Sequence, residues 1–342
     1  MDDLFKQLLS PEYSSFHKLM MHQVANFFCQ ELFRQATRKQ LEQVLEFIKN
    51  DFYKIAIDIH GTRALQVLLE DELINKDKRT DKVSALICEA LKNGRILELS
   101  CNIRGSHVLR QCLILIKTDE RRSIIYEPVV QHFSHIARDK HGCQVVKDCI
   151  TTAQGQWKKD LIRVSFESIE ILINDEFGNF VIQAILEHFI SLSKRKSKIM
   201  DVRVSCVYEF IRQNLAKLCK QQYSSRVVEK AVETMPKDQF EKLCIIYMKN
   251  SSKKSKLFKD IMLDSFGNYI APKILERAKF FGLQQQLDYF TKVYRDSIEA
   301  LKKVKHGRQL MGKINQILPS LNKTKQPTAG SASAASTSGA AA

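Results

Sequence analysis

Residues 177–188 read FGNFVIQAILEH. After Gly178 the apolar residues Val181, Ile182, Ile185, Leu186 and Phe189 follow an i, i+1, i+4, i+5, i+8 spacing, which is one buried face of an amphipathic helix. The glycine before it is expected to mark a turn, because a residue without a Cβ suits a positive φ and lets two backbones approach closely. Asn179 just after it is placed to cap the new helix, as are Asn268, Ser106 and Ser225 at equivalent positions. Upstream, Leu161, Ile162, Val164, Phe166, Ile169 and Leu172 form a second amphipathic run, so the unit contains at least two helices joined near the glycine.

The phrase recurs along the chain. HGTRALQ, RGSHVLR, HGCQVVK, FGNYIAP and HGRQLMG place Gly61, Gly105, Gly142, Gly267 and Gly307 in the slot held by Gly178, so six of the 12 glycines belong to one pattern. YSSRVVE puts Ser224 in that slot and VANFFCQ puts Ala25 there, giving steps of 36, 44, 37, 36, 46, 43 and 40 residues. A period of this size is the signature of a solenoid that stacks one supersecondary unit. The longer steps coincide with polar insertions, DELINKDKRT at 71–80, SLSKRKSK at 191–198 and MKNSSKKSKLFKD at 248–260, which are predicted surface loops. The reading divides the chain into an N-terminal helix or cap at 1–18, a repeat region at 19–317 and a low-complexity tail at 318–342. The end of that tail, QPTAGSASAASTSGAAA, is expected to be disordered.

Composition agrees with an all-α chain. Hydrophobic residues make up 44% and charged ones 27% of the 342, and six Pro with 12 Gly are too few for many tight β-turns. Fifty-four Lys and Arg against 38 Asp and Glu leave a charge of +16, which favours a polyanionic partner such as nucleic acid. The opening MDDLFKQLLS lacks a signal-peptide pattern and no apolar run approaches eighteen residues, so neither export nor membrane spanning is expected. Nine cysteines without a C-x-x-C pair fit reduced thiols inside the cell. No phosphate-binding loop, zinc-protease or nucleophile-elbow motif appears, so no enzyme is expected. His132 and His135 lack further ligands at zinc spacing, so neither a metal nor a cofactor is expected.

The residues that follow each slot carry the candidate chemistry. Position 1, immediately after the slot, reads Asn26, Thr62, Ser106, Cys143, Asn179, Ser225, Asn268 and Arg308. Position 5 reads Gln30, Gln66, Arg110, Lys147, Gln183, Glu229, Pro272 and Gly312, and shares a helix face with position 1. Position 2 reads Phe27, Arg63, His107, Gln144, Phe180, Arg226, Tyr269 and Gln309, mostly planar side chains suited to stacking on a nucleobase. Positions 3 and 4 are apolar and point to the core. Capping preference alone accounts for many of the small polar residues. Exposed rings at one repeated slot are a different matter, since they would form a ladder for a strand whose bases are splayed one per step.

FGNFVIQAILEH, FGNYIAPKILE, YSSRVVEKAVE and HGTRALQVLLE resemble Pumilio (PUF) repeats, and the resemblance covers residues 19–317. It implies a right-handed superhelical crescent of three-helix repeats that binds single-stranded RNA antiparallel to the protein, one base per repeat. LKKVKHGRQLMGKINQ resembles the family's C-terminal capping repeat, which leaves seven base readers. The resemblance assigns Ser225 with Glu229 to guanine, and Asn179 with Gln183 and Asn26 with Gln30 to uracil. It assigns Thr62 with Gln66 to adenine, and makes Ser106 with Arg110 a cytosine-accepting pair in a repeat that often tolerates any base. Two repeats depart from the pattern. Cys143 fits adenine but is paired with Lys147 and flanked by Gln144, and Asn268 fits uracil but has Pro272 at position 5. Stacking is assigned to Phe27, Arg63, His107, Gln144, Phe180, Arg226 and Tyr269. The expected target is 5′-(U)GU(A)NAU-3′, with parentheses at the two departures.

The resemblance further implies a cytoplasmic, monomeric regulator that represses or destabilises mRNA through 3′ untranslated sites by recruiting deadenylation or translation-repression factors. A PUF-like nucleolar ribosome-assembly factor is one alternative, favoured by the departures at Lys147 and Pro272. A HEAT- or armadillo-like protein scaffold is another; it explains the period but not the polar pairs flanking a planar residue.

Overall fold

The computed structural model describes residues 2–10, 16–70, 82–92, 95–193, 202–249 and 257–318, and every regular element among them is helical. The predicted loop at 71–80 and the tail from 319 lie outside the described residues. The chain divides into two compact units, one ending at Ile246 and the other beginning at Tyr247.

The first unit is a stack of three-helix repeats. The helix opened by each slot residue is the third of its repeat: Ala25–Gln35, Gly61–Leu68, Gly105–Leu115, Gly142–Thr152, Gly178–Ser193 and Ser224–Thr234. These six pack one against the next in chain order. The first helices, Arg38–Ile48, Lys82–Leu91, Asp119–Gln131, Gly155–Glu167 and Val202–Gln213, form a second row in the same way. Short second helices lie between them, such as Phe52–Ile57 and Ile169–Ile173. The upstream run that begins at Leu161 is therefore two helices, broken at Ser168. Between the rows the apolar positions interlock. Val181, Ile182, Ile185 and Leu186 have no exposed surface, and Leu161, Ile162 and Leu172 face them from the same repeat with none either. A helical stripe buried on both sides in this way is what stacking supplies and a lone repeat lacks.

The expected boundary at residue 19 moves toward the N-terminus. The helix Phe16–Met21 runs across it, buries Phe16 and Met20, and packs on Ala25–Gln35 as that repeat's second helix. Two predicted loops also shrink. Ser191 to Ser193 continue the helix Gly178–Ser193, while 194–198 lie outside the described residues. Leu257 to Asp260 open the helix Leu257–Leu263, in which Leu257, Phe258, Ile261 and Met262 bury an i, i+1, i+4, i+5 face that the surrounding lysines disguise in the sequence.

The slot glycines serve close approach, not a positive φ. Positive φ occurs at Gly155 and Gly282, at 50° and 66°, and neither is a slot residue. A Cβ on Gly178 would lie 2.9 Å from Leu172 Cδ2 and 3.0 Å from Leu172 O; on Gly61 it would lie 3.0 Å from Ile55 O. Both close approaches include the carbonyl six residues back, on the second helix. Ser224 turns the same proximity to use, because its Oγ donates to Leu218 O, six residues back, at 2.9 Å.

The second unit holds the helices Leu257–Leu263, Ile270–Phe280, Gln284–Leu301 and Gly307–Ile317. Its core is aromatic, with the Phe258 and Phe290 ring centroids 4.7 Å apart and Tyr247 6.2 Å from Phe290. The helix Ile270–Phe280 is preceded by a 3-10 turn at Gly267–Tyr269. Pro272 has no N–H to give to Asn268 O, so the α-helical ladder cannot begin at the slot as it does in the other repeats.

Candidate nucleic-acid interface

In six of the seven repeats the start of the third helix is held by a side chain three positions before the slot. Three positions before the slot stand Asp58, Asn102, Asp139, Asp175 and Asp264. In each, Oδ1 accepts the two backbone N–H groups of the slot and the residue before it, at 2.7–3.0 Å. In the first repeat His22 Nδ1 accepts from Val24 N and Ala25 N, both at 3.2 Å. These side chains satisfy donors that the helix cannot. The caps expected from Asn179, Asn268 and Ser106 are thus replaced, Ser225 forms none either, and the recurrence of Asp or Asn at that offset is a signal available in the sequence.

Position 1 turns back instead. Asn26 Nδ2 donates to His22 O and Gln23 O at 2.9 and 2.7 Å, Asn179 Nδ2 to Asp175 O and Glu176 O at 2.9 and 2.7 Å, and Asn268 Nδ2 to Asp264 O and Ser265 O at 3.1 and 2.8 Å. Ser106 and Ser225 donate similarly, to Ile103 O and Gln222 O, both at 3.3 Å. Cys143 Sγ lies 3.5 Å from Lys140 O, and burial holds its thiol above the ordinary value, hence neutral. At position 1, Asn26, Thr62, Ser106, Cys143, Asn179, Ser225 and Asn268 are all buried. Back-bonding explains how a polar side chain is tolerated there in all of these but Thr62, whose Oγ1 accepts from Gln66 Nε2.

Position 5 then bonds to position 1 in three repeats. Gln30 Nε2 meets Asn26 Oδ1 at 2.8 Å, Gln66 Nε2 meets Thr62 Oγ1 at 3.1 Å and Gln183 Nε2 meets Asn179 Oδ1 at 2.8 Å. One amide hydrogen bond fixes the plane of the glutamine and leaves its Oε1 and second N–H for a ligand. Glu229 lies beside Arg226, with carboxylate and guanidinium 3.9 Å apart.

Burial keeps one register through all seven repeats. The slot, position 1 and positions 3 and 4 are buried except for Ala25 and Phe28, position 5 is half-buried except for the buried Pro272, and position 2 is exposed except for the half-buried Gln144. Because the third helices of the first unit lie side by side in order, this common register sets their position 2 and 5 side chains in rows on one surface. The rings on it are uncovered, with Phe27 60% and Phe180 48% exposed. In the second unit Tyr269, 37% exposed, has Lys313 Nζ 5.4 Å from its ring centroid, and both line a small recess with Asn268, Pro272 and Gln309.

The third and fourth repeats are joined. Arg110 Nε donates to Asp148 Oδ2, Gln144 Nε2 to Asp148 Oδ1 at 3.1 Å, and Lys147 Nζ to Gln144 Oε1 at 3.1 Å. Asp148 is position 6, outside the set of positions read from the sequence.

These features define a class, an all-α solenoid whose repeated third helix turns polar edges and uncovered rings to one surface. The Pumilio-family RNA binding repeat, PUF, matches residues 15–48, 51–71, 95–127, 132–162, 171–196 and 214–244, more than half of the chain, and the chain belongs to that family. The HEAT or armadillo alternative for the fold is thereby displaced. Pumilio homolog 12 of Arabidopsis thaliana is 29% identical over 265 residues, 77% of this chain and 41% of its own length. A Pumilio domain-containing protein of Schizosaccharomyces pombe is 26% identical over 302 residues, 88% of this chain and 40% of its own length. The chain thus spans about two fifths of the length of these curated relatives. Among solved structures, the Puf4 RNA binding domain bound to an HO endonuclease RNA 3′ UTR recognition sequence aligns with TM-score 0.77, 23% identity, and coverage of 91% of this chain and 90% of that one. PUF-8 in complex with PBE-RNA aligns with TM-score 0.77, 18% identity, and coverage of 93% and 85%. At these identities the likeness speaks for the fold. No helix among the described residues is long and apolar enough to cross a membrane.

Proposed function

We propose that the chain binds single-stranded RNA sequence-specifically, one base per repeat, with positions 1 and 5 at the base edges and position 2 stacking between bases. The observation that carries this is the shared burial register, which in every repeat but the fourth and seventh pairs an exposed planar or cationic group at position 2 with a polar edge at position 5, while the identity of that edge changes along the chain. A constant platform with variable edges suits a polymer of constant backbone and variable bases. The +16 charge favours a polyanion, and base stacking at about 1–3 kcal/mol per base supplies affinity without sequence preference. Relatives of the same fold are described as bound to RNA 3′ UTR sequences. On that footing the target is 5′-(U)GU(A)NAU-3′, and the role is cytoplasmic repression or decay of mRNA by a monomer that recruits other factors.

Glu229 gives the test. A carboxylate accepts from the ring N–H and exocyclic amine of guanine, two donors that no other base offers together. Wild-type protein is expected to bind a UGU-containing heptamer more tightly than its UCU variant by about 1–3 kcal/mol. Glu229→Gln should narrow that gap in a fluorescence-anisotropy titration. An unchanged guanine preference in the variant would rule out this register.

A further inference from the structure

We propose that Asp148 sets the base choice of the third repeat by holding Arg110 back from base reading. The proposal rests on the RNA reading above and concerns its least selective step, the N of the target.

Arg110 occupies position 5, where the first, second and fifth repeats carry glutamines bonded to position 1 of their own repeat. Its bond runs elsewhere. Nε donates to the carboxylate of Asp148, on the third helix of the following repeat. The other carboxylate oxygen accepts from Gln144, whose own carbonyl oxygen accepts from Lys147. Both oxygens of Asp148 thus have protein partners, and the two side chains of the ion pair are partly shielded, at 34% and 28% exposed. Position 6 reads Glu31, Val67, Gln111, Asp148, Ala184, Lys230 and Lys273, so Asp148 is the one acid at this position on a repeat that follows another base-reading repeat.

A guanidinium recognises a planar edge through two parallel N–H groups. Cytosine presents two adjacent acceptors on its pairing edge, N3 and O2. Uracil and guanine interrupt that edge with an N–H, and adenine sets its one acceptor beside an amine. While Asp148 holds Nε–H, the side-on fork that includes it is not available to a base, and the carboxylate offsets the positive charge that would draw Arg110 toward one. The third repeat then accepts any base. Positions 1 and 5 alone would assign it to cytosine; the residue that overrides them lies one repeat further on.

The experiment measures binding of four heptamers, 5′-UGUANAU-3′ with each base at N, plus 5′-UCUAAAU-3′, to wild type, Asp148→Asn, and Asp148→Asn combined with Arg110→Ala. Asparagine keeps the shape of the side chain and an acceptor for Gln144 while removing the charge that holds Arg110. Wild type should show no preference at N beyond about twofold, Asp148→Asn should favour cytosine by about tenfold, and the double variant should lose that gain. A wild type that already favours cytosine tenfold, or an Asp148→Asn protein that stays indifferent, overturns the inference. Should Asp148→Asn not fold, Arg110→Ala alone decides: an unchanged profile at N supports the masking, and an altered one overturns it. If wild type fails to separate UGU from UCU, the RNA reading itself falls and takes the inference with it. If that separation holds and N stays flat in Asp148→Asn, only the inference falls.

Discussion

Gln183 donates its Nε2–H to Asn179 Oδ1 at 2.8 Å, while Asn179 spends its own amide on the carbonyls of Asp175 and Glu176. The pair is therefore a relay from the backbone outward: the buried asparagine is oriented by the turn, and the half-buried glutamine is oriented by the asparagine. Asn26 and Gln30 repeat it in the first repeat. Preorganisation of this kind lowers the ordering cost of recognition.

Asn179→Ala should accordingly do more than delete one contact. It removes the acceptor that fixes Gln183, so both edge groups of the fifth repeat lose their geometry together. The expected result is weaker binding by about 1–3 kcal/mol and a lost preference for uracil at the third base. Thermal unfolding should change little by comparison, because the helix start is held by Asp175. Competition between UGU- and UGC-containing heptamers reads out the specificity, and an intact uracil preference would refute the relay.

Phe180→Ala isolates the other half of the site. The ring is 48% exposed, so its loss should cost the free protein little. In the complex it removes a platform that is indifferent to base identity, and affinity for matched and mismatched heptamers should fall in parallel by about 1–3 kcal/mol. A loss confined to one base at one position would mean that Phe180 contributes to edge recognition.

The period, the third helix and its buried stripe were legible because a period of 36–46 residues and a 3.6-residue periodicity are properties of the residue string itself. The break at Ser168 was not legible. Both helices on either side bury apolar residues in the same phase, so the pattern runs on without interruption. The caps were misplaced for a different reason. Asn179 and Asp175 are both good capping residues, and only the backbone path shows that Asp175 reaches the N–H groups while Asn179 turns toward carbonyls. Asp148 was invisible because its partner Arg110 is 38 residues away, on another repeat, and nothing in a single repeat signals the contact.

Gly178→Ala tests the close approach of second and third helices. A methyl at this slot would crowd Leu172 Cδ2 and Leu172 O at 2.9 and 3.0 Å, and relief requires moving the helix start or the leucine. Destabilisation of about 1–3 kcal/mol is expected, despite the better helix propensity of alanine. Gly178→Ser should cost less than Gly178→Ala, because its hydroxyl can donate to Leu172 O as Ser224 donates to Leu218 O. Urea unfolding midpoints give the order, and an alanine variant as stable as wild type would show that the slot has slack.

Asp175 joins stability to recognition and gives a pH signature. Burial raises its pKa, but Arg138 Nε at 2.9 Å and the N–H groups of Gly178 and Phe177 outweigh that and hold the carboxyl below its ordinary value. A folded-state pKa below the unfolded one stabilises the protein fully above the ordinary carboxylate range, and this contribution is lost as pH falls through the lowered value. Asp175→Asn keeps an acceptor for the cap, as Asn102 does in the third repeat, yet cannot titrate. Wild type should be the more stable of the two at neutral pH, with the gap closing in acid. Asp175→Ala loses cap and ion pair together, at a cost of about 1 kcal/mol or somewhat more. Since the backbone carbonyl of Asp175 also receives Asn179 Nδ2, the alanine variant should lose part of the uracil preference too. Urea titrations at neutral and acid pH, run beside RNA binding, separate the two effects, and a gap between wild type and Asp175→Asn that persists unchanged into acid would refute the charge argument.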